Sequence, residues 1–232
     1  SQEIGLVSSA WHPFAVDLRG HGKSAYTNAG YLFKDYPRDV IALLEARVDR
    51  PAVLVGHSLG GVTAVGVAAS RPDLVRAAVL EDPPLWVQQR ADGENPALSV
   101  FAAQQTLILE RLGPEAMAAR LAEITPEQDA AAIRSRVTCL QTLDPEVYTS
   151  AVSGRSGEDF DPDAALRAIE CPVLLMQADP ARGSALRDGD ATRAAGALRD
   201  CTLVKFDGVG HGIHRGDPAR FRRVLFDFLD TI

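Results

Sequence analysis

The chain has 232 residues, a formal charge of −7 at pH 7, and 46% apolar against 24% charged residues. This is the composition of one generous globular domain or two small ones, and it excludes a disordered chain, a collagen-like repeat and a disulfide scaffold. The acidic balance offers no basic face to nucleic acid or anionic lipid, and no apolar run reaches the roughly 18 residues of a membrane-spanning helix. Neither nucleic acid nor a membrane is therefore expected as a partner. Cys139, Cys171 and Cys201 are widely spaced and form no CxxC pair, as expected of three buried free thiols in a reducing compartment. Ser1-Gln-Glu-Ile4 lacks a signal-peptide pattern, so the cytoplasm is the expected location, although the missing initiator Met is consistent with residues lost upstream.

In chain order, Pro13-Phe-Ala-Val-Asp17 reads as a short strand ending at the turn-rich run Leu18-Arg-Gly-His-Gly-Lys-Ser24. The segment Tyr36 to Val48 puts Val40, Leu43, Leu44 and Val48 on one helical face. Ala52-Val-Leu-Val55 is a continuous apolar run, the pattern of a strand buried on both faces. A small-residue helix is predicted over 59–70, stopped by Arg71-Pro72-Asp73, and Val75 to Leu80 reads as a second buried strand. Strands alternating with helices predict a parallel sheet covered by helices on both faces.

From Pro83 to Phe160 only helical periodicity remains. One stripe is Leu98, Phe101, Ile108 and Leu112, ended by Gly113-Pro114; a second is Met117, Leu121 and Ile124. Thr125-Pro-Glu-Gln128 reads as an N-cap with a capping-box Gln, opening a helix with Ile133, Val137 and Leu140 on its apolar face. Gly154 to Asp159 is polar and linker-like. The alternation resumes with a helix capped by Asp161-Pro162, a strand Pro172–Gln177, a helix near Asp190–Leu198 and a strand Thr202–Phe206. A final helix carries Phe221, Val224, Leu225, Phe228 and Leu229 on one face. The expected organisation is a core of residues 1–82 and 161–232 with a helical insertion at 83–160.

Gly56-His-Ser-Leu-Gly60 is G-x-S-x-G, placed directly after one predicted strand and directly before a helix. A tight strand-to-helix turn presents Ser58 at the carboxyl end of the sheet, where helix amides can meet an oxyanion. With Asp17-Leu-Arg-Gly-His-Gly-Lys-Ser24, Leu80-Glu-Asp-Pro-Pro84 and Gly208-Val-Gly-His-Gly212 in the same order and spacing, the chain resembles the α/β-hydrolase superfamily from about Phe14 onward. The resemblance implies a mostly parallel sheet, a serine–histidine–acid triad at strand ends, and a helical cap inserted after the sixth strand.

It also implies site residues. Ser58 would be the nucleophile and His211 its base, because a serine hydroxyl is a poor nucleophile without one. The usual acid position, three residues after a strand-ending glycine, holds Ala181, so Asp179 is the expected acid, with Asp82 at the end of the preceding sheet strand as the alternative. The Leu59 N–H would be one oxyanion donor. Ile4 to Trp11 is similar to the family's second oxyanion loop, which makes the Leu6 N–H the other donor. The strands that should precede that loop have no counterpart, so either residues are omitted or the fold is trimmed at its start. His214 is expected at the surface or behind a residue of the site, His57 to pack beneath the sheet edge rather than react, and His21 to serve structurally in its loop. Leu85, Trp86, Phe101, Ile108, Met117 and Tyr148 are candidates for a pocket wall.

No cofactor or metal is expected: there is no H-E-x-x-H, no calcium loop, and the P-loop-like Gly22-Lys-Ser24 has Asp17 where a glycine is required. The expected activity is hydrolysis of a small carboxylic ester through an acyl-enzyme, by a monomer or homodimer. Alternatives are C–C bond hydrolysis, lactonase or cofactor-free perhydrolase chemistry, and a ligand receptor that keeps the triad without turnover.

Overall fold

The computed structural model describes residues 11–89, 97–126 and 128–232. Four parallel strands, β1 (Ala52–His57), β2 (Val75–Glu81), β3 (Val173–Ala178) and β4 (Cys201–Phe206), lie in the order β1-β2-β3-β4. Their register aligns the strand ends: His57 is opposite Glu81, Glu81 opposite Met176, and Ala178 opposite Phe206. The residues that follow each strand therefore leave the sheet along one edge, which is where an open parallel sheet builds its sites. None of the described helices is long and apolar enough to cross a membrane.

The two central strands, β2 and β3, form because most of their side chains are withdrawn from water. Every residue of β3 and all but Arg76 of β2 are buried, and a fully buried aliphatic side chain contributes about 1.5–3 kcal/mol. The expectation that β1 is buried on both faces is corrected. Val55 is 56% exposed, because β1 ends the strand order and pairs with β2 on one side only among the described residues.

The chain separates into two compact units. The sheet unit spans Phe33–Gln89 and Gly157–Ile232. It holds the strands with α1 (Tyr36–Arg47), α2 (Leu59–Ser70), α7 (Pro162–Ala168), α8 (Asp188–Ala197), α9 (Ile213–Gly216) and α10 (Pro218–Leu229). Helix α2 has no polar stripe and Gly61 to Ala68 are all buried, as expected of a helix apolar all round. Asp161 caps α7, its carboxylate accepting the Ala164 N–H at 3.1 Å. In α10 Phe221, Leu225, Phe228 and Leu229 are buried, the predicted face with Val224 at its margin.

The second unit joins residues 11–32 to α3 (Ala97–Leu109), α4 (Pro114–Ile124), α5 (Ala130–Gln141) and α6 (Glu146–Val152). The sequence pattern predicts residues 11–32 as part of the core. They are tied here to α6: the Tyr31 hydroxyl donates to Asp144 at 2.6 Å, the Asp144 N–H to the Gly20 carbonyl at 2.8 Å, and the Ser150 hydroxyl to the Tyr31 carbonyl at 2.9 Å.

Several local expectations are corrected in this unit. Pro13–Asp17 is not a strand. Phe14 and Val16 are 53% and 46% exposed, and no described strand lies beside them to accept a ladder. Helix α5 is capped by Asp129, whose carboxylate accepts the Ala131 and Ala132 N–H groups, and not by Thr125, which ends α4. In α3 the buried positions are Gln104 and Leu107 rather than the stripe of Leu98, Phe101, Ile108 and Leu112. A glutamine takes a buried position there because its Oε1 accepts the Tyr148 hydroxyl at 2.7 Å. Cys139 is exposed while Cys171 and Cys201 are half-buried, all as free thiols, so burial of all three does not hold.

Candidate active site

Ser58 sits between β1 and α2 with φ 53° and ψ −117°, a sparsely populated conformation that costs on the order of 1–3 kcal/mol. The turn is held from both sides. The Ser58 N–H donates to the Glu81 carbonyl at 2.9 Å, and the Ser58 carbonyl accepts the Val62 N–H at 3.1 Å. Gly56 is sterically required, since a Cβ there would stand 2.2 Å from the Gly60 carbonyl oxygen, whereas Gly60 faces open space. Leu59 opens α2, so its N–H is one of the first-turn donors without an intrahelical acceptor.

His211 lies between β4 and α9. In its loop a Cβ at Gly210 would stand 3.0 Å from the Arg182 carbonyl oxygen, a tight contact. The His211 Nδ1–H donates to Asp82 Oδ2 at 2.7 Å, which leaves Nε2 as the proton-accepting nitrogen of the neutral ring. Asp82 follows β2 with φ 44°, a left-handed conformation that aspartate tolerates better than most residues.

Asp82 is fully buried, and the loop after β3 wraps its carboxylate. Oδ1 accepts from the Ser184 hydroxyl at 2.6 Å, the Ala178 N–H at 3.2 Å and the Leu186 N–H at 3.3 Å. Oδ2 accepts from the Ala185 N–H at 2.7 Å as well as from His211. Burial pushes the carboxyl upward, but the His211, Ser184 and Ala185 hydrogen bonds outweigh it and hold the group below the ordinary aspartate value.

The expectation that favoured Asp179 as partner of His211 is corrected. The Asp179 carboxylate accepts the Ala181 N–H at 2.8 Å and the Gly208 N–H at 2.7 Å. Its own N–H donates to the Val209 carbonyl at 2.8 Å. It braces the loop that leads to His211. The carboxylate has been captured by nearby backbone donors, the Asx-turn behaviour of aspartate before a proline.

Two further groups belong to this edge. Glu81, 3% exposed, accepts the His214 backbone N–H at 2.9 Å, and the His214 Nδ1 lies 2.9 Å from both carboxylate oxygens. Burial pushes its carboxyl up, yet the His214 hydrogen bond and the nearby His57 and His214 rings bring it below the ordinary glutamate value. Sequence reasoning missed Glu81 and Ser184 as participants. The available signal for Glu81 was a charge ending an otherwise apolar buried strand, which is rarely left unpaired. His57 is half-buried, its Nε2–H donating to the His211 carbonyl at 2.9 Å, and burial lowers its pKa to about 4.

His21 is distant in sequence and contacts its own loop, Nδ1 lying 2.9 Å from the Arg19 carbonyl. Of the pocket candidates, Leu85 and Trp86 are buried in the sheet unit. The Trp86 indole N–H donates to Asp163 at 3.2 Å, with the Arg193 guanidinium 4.7 Å from the ring centroid. In the helical unit Met117 and Tyr148 are buried, Ile108 is half-buried, and Phe101 stacks on Tyr148 with centroids 5.2 Å apart. Leu6, the second expected oxyanion donor, lies outside the described residues.

Known proteins share this arrangement of sequence and fold. The chain is 30% identical over 232 residues to a 2-(acetamidomethylene)succinate hydrolase from Mesorhizobium japonicum, covering 97% of this chain and 81% of that protein. It is 28% identical over 247 residues to a non-heme chloroperoxidase from Streptomyces lividans, covering 100% of this chain and 86% of that protein. The crystal structure of E-2-(acetamidomethylene)succinate hydrolase superposes with a TM-score of 0.77 at 24% identity, covering 99% of this chain and 85% of the other. A family model described as the alpha/beta hydrolase family matches residues 4–224. The parallel sheet, the strand–turn–helix around Ser58 and this match over most of its length make the chain a member of the alpha/beta-hydrolase family.

Proposed function

We propose that the protein is a serine hydrolase that passes an acyl group from a small substrate to water through Ser58. The observation that carries this reading is the 2.7 Å hydrogen bond from His211 Nδ1 to the buried Asp82 carboxylate, which orients the ring and leaves Nε2 as the base. In the first step Nε2 takes the Ser58 Oγ proton as Oγ bonds to the carbonyl carbon. The oxygen's developing charge meets the Leu59 N–H, one preorganised donor being worth about 10²–10³-fold in rate. The tetrahedral adduct collapses, His211 returns the proton to the leaving group, and the acyl group stays on Oγ. Water then attacks with the same base, releasing the acid and restoring Ser58. Asp82 stays ionised throughout and stabilises the imidazolium that forms twice in each cycle.

A small carboxylic ester is the first substrate class. A second reading, an N-acyl substrate, is favoured by the relative named for an acetamidomethylene compound; the same steps then expel a nitrogen leaving group protonated by His211. Both are tested by measuring acetate released from p-nitrophenyl acetate and from p-nitroacetanilide. Turnover of either substrate that vanishes in Ser58→Ala is the expected result. Turnover that survives Ser58→Ala, or a folded wild-type chain that neither turns over nor reacts with a fluorophosphonate, refutes the reading and leaves the receptor alternative.

A further inference from the structure

We propose that His57 is a positioning residue for the base: its ring, carried by the nucleophile's own turn, grips the backbone carbonyl of His211, while Glu81 and His214 grip the other end of the same loop. The inference rests on the serine-hydrolase reading and adds to it what fixes Nε2 relative to Ser58.

Two segments must be held at one separation, residues 57–58 on the elbow and residues 211–214 after β4, and two hydrogen-bonded links join them. The first is the His57 Nε2–H to the His211 carbonyl, 2.9 Å. A carbonyl only accepts, so the ring's proton is on Nε2. Burial keeps the imidazole neutral, which leaves it this one N–H to give. The second link runs through Glu81, whose backbone carbonyl accepts the Ser58 N–H at 2.9 Å while its carboxylate accepts the His214 N–H at 2.9 Å. The His214 ring reinforces that second link, Nδ1 lying 2.9 Å from each Glu81 oxygen. The rings pack together as well, with His57 centroids 4.5 Å from His211 and 5.2 Å from His214.

Asp82 alone does not accomplish this. A single hydrogen bond at Nδ1 leaves the ring free to pivot about that contact and swing Nε2 away from Ser58. Fixing the His211 backbone through His57 supplies the second point that the pivot lacks. Stability is a poor account of the arrangement, because replacing buried ionised groups by apolar residues of similar volume is often neutral or stabilising. A second buried carboxylate directly beside the triad acid is a costly device unless it sets geometry.

The test uses the full chain with p-nitrophenyl acetate, measuring kcat, KM and thermal midpoint for His57→Phe and His57→Gln. Phenylalanine keeps a ring but has no N–H; the Gln side-chain nitrogen lies the same number of bonds from Cβ as Nε2 and can donate to the same carbonyl. A displacement of the base of about an ångström costs up to about 100-fold. His57→Phe is therefore expected to lower kcat by about 10–100-fold with KM changed less than about threefold, and His57→Gln to recover kcat to within about fivefold. If His57→Phe does not fold, Glu81→Gln carries the same expectation of reduced kcat at near-constant KM. A folded His57→Phe with kcat within twofold of wild type overturns the proposal, and so does an equal loss in the Gln variant. Loss of turnover in Ser58→Ala with turnover intact in His57→Phe sinks the clamp alone; turnover that survives Ser58→Ala sinks the serine reading beneath it.

Discussion

Replacing Asp82 by Asn tests the site most directly, because the structure says which way the new amide must point. Its oxygen and nitrogen have to occupy the places of Oδ1 and Oδ2. The Oδ1 place faces the Ala178 and Leu186 N–H groups and the Ser184 hydroxyl. The Oδ2 place faces the Ala185 N–H and His211 Nδ1. An NH₂ group at Oδ1 would oppose two fixed backbone donors, against one at Oδ2, so it goes to Oδ2. His211 must then accept at Nδ1 and carry its proton on Nε2, which is the tautomer that cannot deprotonate Ser58. The same change in a serine protease costs about 10⁴-fold in kcat, a barrier of about 5 kcal/mol at 1.36 kcal/mol per decade. Asp179→Asn should change kcat by less than about tenfold, since an amide oxygen can still accept from Gly208 or Ala181. Burst-corrected kcat on p-nitrophenyl acetate and the rate of fluorophosphonate labelling measure both variants. If Asp82→Asn stays within tenfold of wild type while Asp179→Asn falls by 10³, the assignment of the acid is wrong.

Two further outcomes follow from local geometry. Gly56→Ala should destroy both fold stability and labelling, because its Cβ meets backbone atoms of Gly60 that cannot move without opening the elbow. Gly60→Ala should instead raise the thermal midpoint, by up to about 1 kcal/mol of helix stabilisation, and a lower midpoint would contradict the open space seen there. Acid should weaken the fold through Asp82 and Glu81. Both carboxyls are held below their ordinary values, so their contribution is complete above about pH 4, where unfolded carboxyls ionise, and is lost as pH falls through the folded values. Urea unfolding between pH 5 and 3 should show this loss, reduced in Asp82→Asn; equal losses in the two chains would refute it.

Much of this protein was legible from its sequence because it is local. The apolar run 52–55, the glycines around Ser58 and the small-residue helix after it lie within about twenty consecutive residues. Their conformation is dictated by neighbours along the chain: an apolar strand, a turn too tight for a side chain at 56, a helix with no polar stripe. The strand–helix alternation likewise announced a parallel sheet, and the family resemblance followed from motif order. Where a segment depends on a partner far away in sequence, the pattern misled. Pro13–Asp17 has the composition of a strand, yet a strand exists only where a neighbouring ladder accepts it.

The carboxylate partner of His211 was such a case. Asp82 and Asp179 each follow a strand of the same parallel sheet, and nothing along the chain says which carboxylate is captured by its own loop and which is left for a ring about 30 or 130 residues away. Tertiary structure decided it through hydrogen-bond supply. The backbone of Ala181 and Gly208 satisfies Asp179, whereas Asp82 is buried where Ser184, Ala185 and His211 converge. The contact that His57 makes was hidden for the same reason. Within its motif it is the variable position, and only the packing of the loop after β4 brings a carbonyl oxygen to its Nε2.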